Sequence, residues 1–155
     1  MTTTAIHEES AAQRLADQLA ANRHLLLTTA DGTPLTDATW VVPDGAALGI
    51  WVPADGRAAR QVLRRSRVFV VPCDGHGRPA GRRVPARAAV CDPDTTARYR
   101  TALINKYGFP ALLRLARSRL RRGLDGTVGI RITLIDRERL LTAEAWHPSG
   151  WYSLN

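Results

Sequence analysis

Between His24 and Val52 the chain carries three short apolar runs, HLLLTTA, LTDATWVV and AALGIWV, separated by little more than the Asp31-Gly32 and Pro43-Asp44-Gly45 turns. Connections this tight have no room for the crossover that a parallel pair requires, so these neighbours must run antiparallel as a meander. Later segments extend the pattern. Val68 to Cys73 (VFVVPC) is an unbroken apolar strand, which predicts cover on both faces. Val84 to Val90 is a further strand, and Gly126 to Ile135 alternates Val128, Ile130, Ile132 and Leu134 inward against Arg131 and Thr133. Arg139 to Trp146 reads as a last strand before the aromatic tail HPSGWYSLN.

Helices punctuate these strands. Ala12, Leu15, Ala16 and Leu19 recur at helical spacing within a first helix from His7 to Arg23. Arg57 to Arg67 is a basic helix with Val62 and Leu63 facing inward. Pro93 to Tyr107 is a third, stopped by Gly108 and Pro110, and a short Arg-rich helix follows to about Leu120. Strands joined by hairpins with a few helices packed on them predict an α+β fold built on an antiparallel barrel, whose closure removes exposed edges. At 155 residues, 45% of them hydrophobic, the chain is expected to form a single domain over 1–155. Residues 1–23 are then an N-terminal helix and 136–155 a C-terminal extension.

Charge and special residues narrow the function classes. The net charge is +8, and all but Lys106 of the 22 basic residues are arginine, a composition that favours anionic groups such as phosphates and carboxylates. Nucleic acid is not the expected partner, because neither a recognition helix nor an aromatic strand platform is present. No secretory signal and no apolar run of membrane-spanning length is visible, so a soluble cytoplasmic protein without a membrane partner is expected. Cys73 and Cys91 are too few for a disulfide framework, and His7, His24, His76 and His147 lack ligand spacing, which argues against a metal site.

The segments LLLTTADGTPLTDATWVV, LGIWVPADGRAARQVLRRSRVFVVPCDGHGRPAG, residues 83–90 and INKYG carry, in that order, a resemblance over most of the chain. The chain resembles the pyridoxamine 5′-phosphate oxidase-like flavin/deazaflavin split-barrel family, in particular its actinobacterial F420-dependent oxidoreductase branch. That resemblance implies a split β-barrel homodimer with cofactor clefts at the subunit interface, binding coenzyme F420 and transferring a hydride to a small organic molecule. It also implies a cofactor site built from Thr39, Trp40, Val41, Trp51, Val52, Arg57, Arg60, Pro72 and Cys73. The family usually has Thr where Val52 stands, Lys where Arg57 stands and a basic residue where Ala59 stands. Two alternatives therefore stay open: FMN as the cofactor, or no cofactor, with the barrel transforming a small molecule without redox chemistry.

The residues support part of this directly. Arg57 and Arg60 open a helix straight after Gly56, so backbone N–H groups, the helix dipole and two guanidinium groups can converge on one phosphate. Each residue also has a plainer role. Trp40 and Trp51 suit a core or an interface, Cys73 a buried apolar site, Lys106 and Tyr107 a helix C-terminus, and the arginines from Arg114 to Arg122 a solvated face. The proton that must accompany hydride transfer is left to Tyr107, His147 or water.

Overall fold

The computed structural model describes residues 2–108 and 126–135, with side chains from residue 11 onward. Its elements are α1 (Thr2–Ala20), β1 (His24–Thr28), β2 (Val41–Asp44), β3 (Ala47–Pro53), α2 (Arg57–Arg64), β4 (Arg67–Cys73), β5 (Val84–Val90), α3 (Pro93–Tyr107) and β6 (Thr127–Leu134). The six strands form one sheet in the order β1-β4-β5-β6-β3-β2, with every neighbouring pair antiparallel. The two ends of that order meet, because Leu25 and Thr39 exchange both backbone hydrogen bonds at 2.9 Å just before β2 begins. The sheet is thus curled into a barrel, which satisfies edge groups that an open sheet would leave exposed.

Alternation decides what fills it. Leu25 and Leu27, Leu48 and Ile50, Val68 and Val70, and Ile130 and Ile132 share one buried cluster, each pair two residues apart. Helix α1 adds Ala16, Leu19 and Ala20 to this cluster, and α2 adds Ala58, Ala59 and Val62. Helix α3 lies on the outside and covers a second cluster of Val42, Tyr99 and Leu103, with Trp40 and Trp51 at its margin. Asp92 caps α3 by accepting from Thr95 N at 2.7 Å, Pro93 occupies its first turn, and Gly108 ends it at φ 86°.

The structure departs from the sequence reading at several places, among them the basic helix, which ends at Arg64 so that Arg67, expected within it, opens β4. The strand expected over residues 35–42 is regular only from Val41. The preceding stretch makes isolated bridges to β1, Thr28 with Pro34 and Leu25 with Thr39. Pro43 and Asp44 belong to β2 rather than to its turn, since Pro43 pairs with Leu48 on an edge strand that tolerates a missing N–H. The turn itself is Gly45-Ala46, with Gly45 at φ 60°. Leu63 is 75% exposed rather than inward, because the buried stripe of α2 is Ala58, Ala59 and Val62, and residue 63 rotates off it. Helix α1 ends at Ala20, before Arg23, where the Asn22 side chain donates to the carbonyls of Gln18 and Leu19. The helix expected up to Leu120, the strand from Arg139 and the aromatic tail lie outside the described residues.

Candidate functional site

A cleft of about 580 Å³ opens where the barrel seam, the end of β3 and the start of α2 meet. Residues 35–40 form one wall, Trp51, Val52 and Pro53 a second, Gly56 to Ala58 a third, and Leu103 of α3 closes the back. Its volume is in the range, roughly 300–1,000 Å³, that encloses small-molecule ligands. Two indoles and several aliphatic side chains make most of the lining apolar.

One end is cationic. Gly56 is the N-cap of α2 and brings no side chain to its first turn, whose N–H groups and dipole end lie at the cleft. Gly56 is small of necessity, since a Cβ would approach Pro53 O to 3.0 Å. Arg57 reaches back along the cleft and donates from Nη1 to Pro34 O at 3.4 Å.

The aromatic end is held by α3. Trp40 and Tyr107 stack with centroids 4.8 Å apart and planes 9° apart. Tyr107 Oη accepts from Val41 N at 3.4 Å, and its proton faces the carbonyls of Arg23 and Val41, both at 3.1 Å. Lys106 Nζ donates to Ala20 O at 2.7 Å and Val41 O at 2.8 Å. Both residues thus clamp α3 to α1 and β2. Two turns earlier, Tyr99 lies across β3 and β6 and donates to Asp44 Oδ2 at 2.6 Å, while Arg131 binds the same oxygen at 3.1 Å. Burial and the Asp44 contact push the Tyr99 hydroxyl pKa far up, so it stays a donor.

Of the residues singled out in the sequence, Thr39, Trp40, Trp51, Val52 and Arg57 line this one cleft. Val41 does not, being 0% exposed in the barrel core, and Pro72 and Cys73 are buried away from it. Cys73 packs with Leu26 and Val71, and burial together with Asp74 pushes its thiol pKa up, which disfavours the thiolate. Arg60 is exposed on α2 and is not part of the lining. Ala59 is 1% exposed and packs inward, so a basic side chain at that position would meet the core rather than the cleft. His24, Asp37 and Leu103 line the cleft without having been expected there. Only the barrel closure brings them to it, and no spacing in the sequence marks them.

No protein-family profile and no curated protein matches the sequence. Solved structures match by fold. A pyridoxamine 5′-phosphate oxidase-like protein from Listeria innocua superposes with a TM-score of 0.50 at 14% identity, over 81% of this chain and 94% of its own. A conserved hypothetical protein from Mycobacterium tuberculosis gives a TM-score of 0.54 at 19% identity, over 79% of each chain. The heme storage protein HutZ from Vibrio cholerae gives 0.53 at 14%, over 77% of this chain and 87% of its own. The fold of this chain is therefore the α+β split barrel, an architecture that hosts more than one function. Among the described residues no helix is long and apolar enough to cross a membrane.

Proposed function

We propose that this cleft holds a flavin-type coenzyme, the deazaflavin F420, and that the protein reduces a small organic substrate by hydride transfer. The observation that carries the reading is the convergence, in a single cavity, of Trp40 and Trp51 with Arg57 and the start of α2. Flat apolar walls suit a fused ring, and a guanidinium beside a helix N-terminus suits a phosphodiester. The residues present thus fit such a coenzyme.

Arg57 would hold the tail, with Arg60 and Arg64 further along α2 and Arg78 and Arg82 of the 74–83 loop meeting its additional negative charges. Thr39 and Val52 would border the ring. When bound, the coenzyme supplies the hydride, and the protein's work is to hold ring and substrate in contact and keep water out. A second copy of the chain is the proposed partner, completing the open side of the cleft, and light scattering that finds only monomer would remove that part.

The test is fluorescence quenching of F420 by the purified protein, with Arg57→Ala beside the wild type. Saturable quenching that Arg57→Ala weakens supports the reading; unquenched coenzyme refutes it. A visible spectrum showing retained FMN would move the protein to the flavin users instead.

A further inference from the structure

His24 opens β1, and the exchange of hydrogen bonds between Leu25 and Thr39 sets it opposite Trp40 in the antiparallel register. Its imidazole lies in the cleft beside Gly75, on which a Cβ would sit 3.7 Å from His24 Cε1. The wall formed by residues 34–40 thus has Arg57 at one end, bonded to Pro34, and His24 at the other. Such a stretch spans at most roughly 20 Å. A ligand anchored by its anionic end at Arg57 therefore presents its other end to Trp40, Trp51 and His24.

Among the described residues, which do not include His147, the other proton carriers near this end are engaged by their own bonds. Tyr107 Oη is held by Val41 N and two carbonyls, Lys106 Nζ is engaged by Ala20 and Val41, and Cys73 is buried outside the lining. Asp37 is the acidic residue of the cleft lining and is exposed. Arg23 adjoins His24 in the chain and Asp74 faces it from the end of β4.

We propose that His24 is the proton donor for the reduction assigned to this cleft. The inference rests on the coenzyme reading above. With an enone probe, the coenzyme would supply the hydride that the β-carbon gains as the C=C π bond breaks. The α-carbon takes the proton as the imidazolium N–H bond breaks, and solvent returns a proton to the neutral imidazole. Burial, and then Arg23, hold the His24 pKa below its usual 6.5 against the opposing pull of Asp74, so the acid form accumulates only as pH falls.

The experiment supplies reduced deazaflavin to wild type and to His24→Gln, with 2-cyclohexen-1-one and methyl vinyl ketone as probes, across about pH 5 to 8. Wild-type turnover should climb as pH falls. His24→Gln should lower turnover by about 10²- to 10⁴-fold and flatten the climb, while binding the coenzyme within about tenfold of wild type. Independently of turnover, the imidazole NMR signal that disappears in His24→Gln should move when oxidised coenzyme is added. An unmoved signal, an unchanged pH profile in the variant, or a coenzyme-loaded wild type that reduces neither probe each overturns the assignment. Wild type that fails to quench the coenzyme overturns the cleft reading itself, and the quenching assay separates that failure from the others.

Discussion

Gly49→Ala drives a methyl group into the ring of Tyr99. Gly49 on β3 and Gly129 on β6 form the floor beneath that ring, and a Cβ at Gly49 would lie 2.8 Å from Tyr99 Cε2 and Cζ. The ring has little freedom to slide, because Tyr99 is 3% exposed and its hydroxyl is bound to Asp44. Overpacking of this kind costs about 1–3 kcal/mol. Replacing a strand glycine elsewhere would gain about 0.5–1 kcal/mol, so the net loss reaches about 2.5 kcal/mol at most. For a chain of this size that lowers the melting temperature by up to about 10 °C. Urea titration of Gly49→Ala, Tyr99→Leu and the double variant isolates the contact. With the ring gone, Gly49→Ala should become neutral or stabilising, giving a coupling of about 1–3 kcal/mol. Free energies that add across the cycle would refute the placement of Tyr99, and with it the seating of α3 that positions Leu103 at the cleft and Tyr107 against Trp40.

Arg57→Ala should weaken F420 binding by about 10- to 100-fold, the worth of a hydrogen bond to a charged group, and Arg60→Ala by less, as titrated fluorescence will read. Tyr107→Phe should cost about 0.5–1.5 kcal/mol in urea unfolding and alter the Trp40 emission, since the hydroxyl that ties α3 to Arg23 and β2 is lost. The Tyr99 hydroxyl, with Arg131, holds the Asp44 carboxyl below its usual range. Its folded pKa is therefore lower than its unfolded one. The stabilisation is present above about pH 4 and disappears as pH falls through the lowered value, so Asp44→Asn should flatten the acid limb of the stability curve. Leu63→Gln, on the open face of α2, should change stability by no more than about 0.5 kcal/mol.

Local chemistry explains why much of the fold was legible beforehand. The alternation along β6, the Asp92-Pro93 start and Gly108 end of α3, and the Asp31-Gly32 turn each state their structure within a few residues, and each stands where the pattern puts it. Arg57 was legible for the same reason, as a basic residue opening a helix after a glycine. The misreadings share a different cause. Leu63 is apolar but lies off the stripe that the barrel covers, and residues 35–40 have strand composition but bend to close the seam, so in both cases a distant element decided.

Composition, periodicity and turn residues by themselves determined an antiparallel sheet with helices packed on it and a helix start suited to an anion, because those properties depend on neighbours in sequence. Tertiary structure alone decided that Trp40, Trp51, Arg57 and His24 share one cavity, and that Val41, Pro72 and Cys73 do not line it. The physical reason is the barrel closure. Until Leu25 and Thr39 pair, nothing in the chain specifies which side chains face the same space.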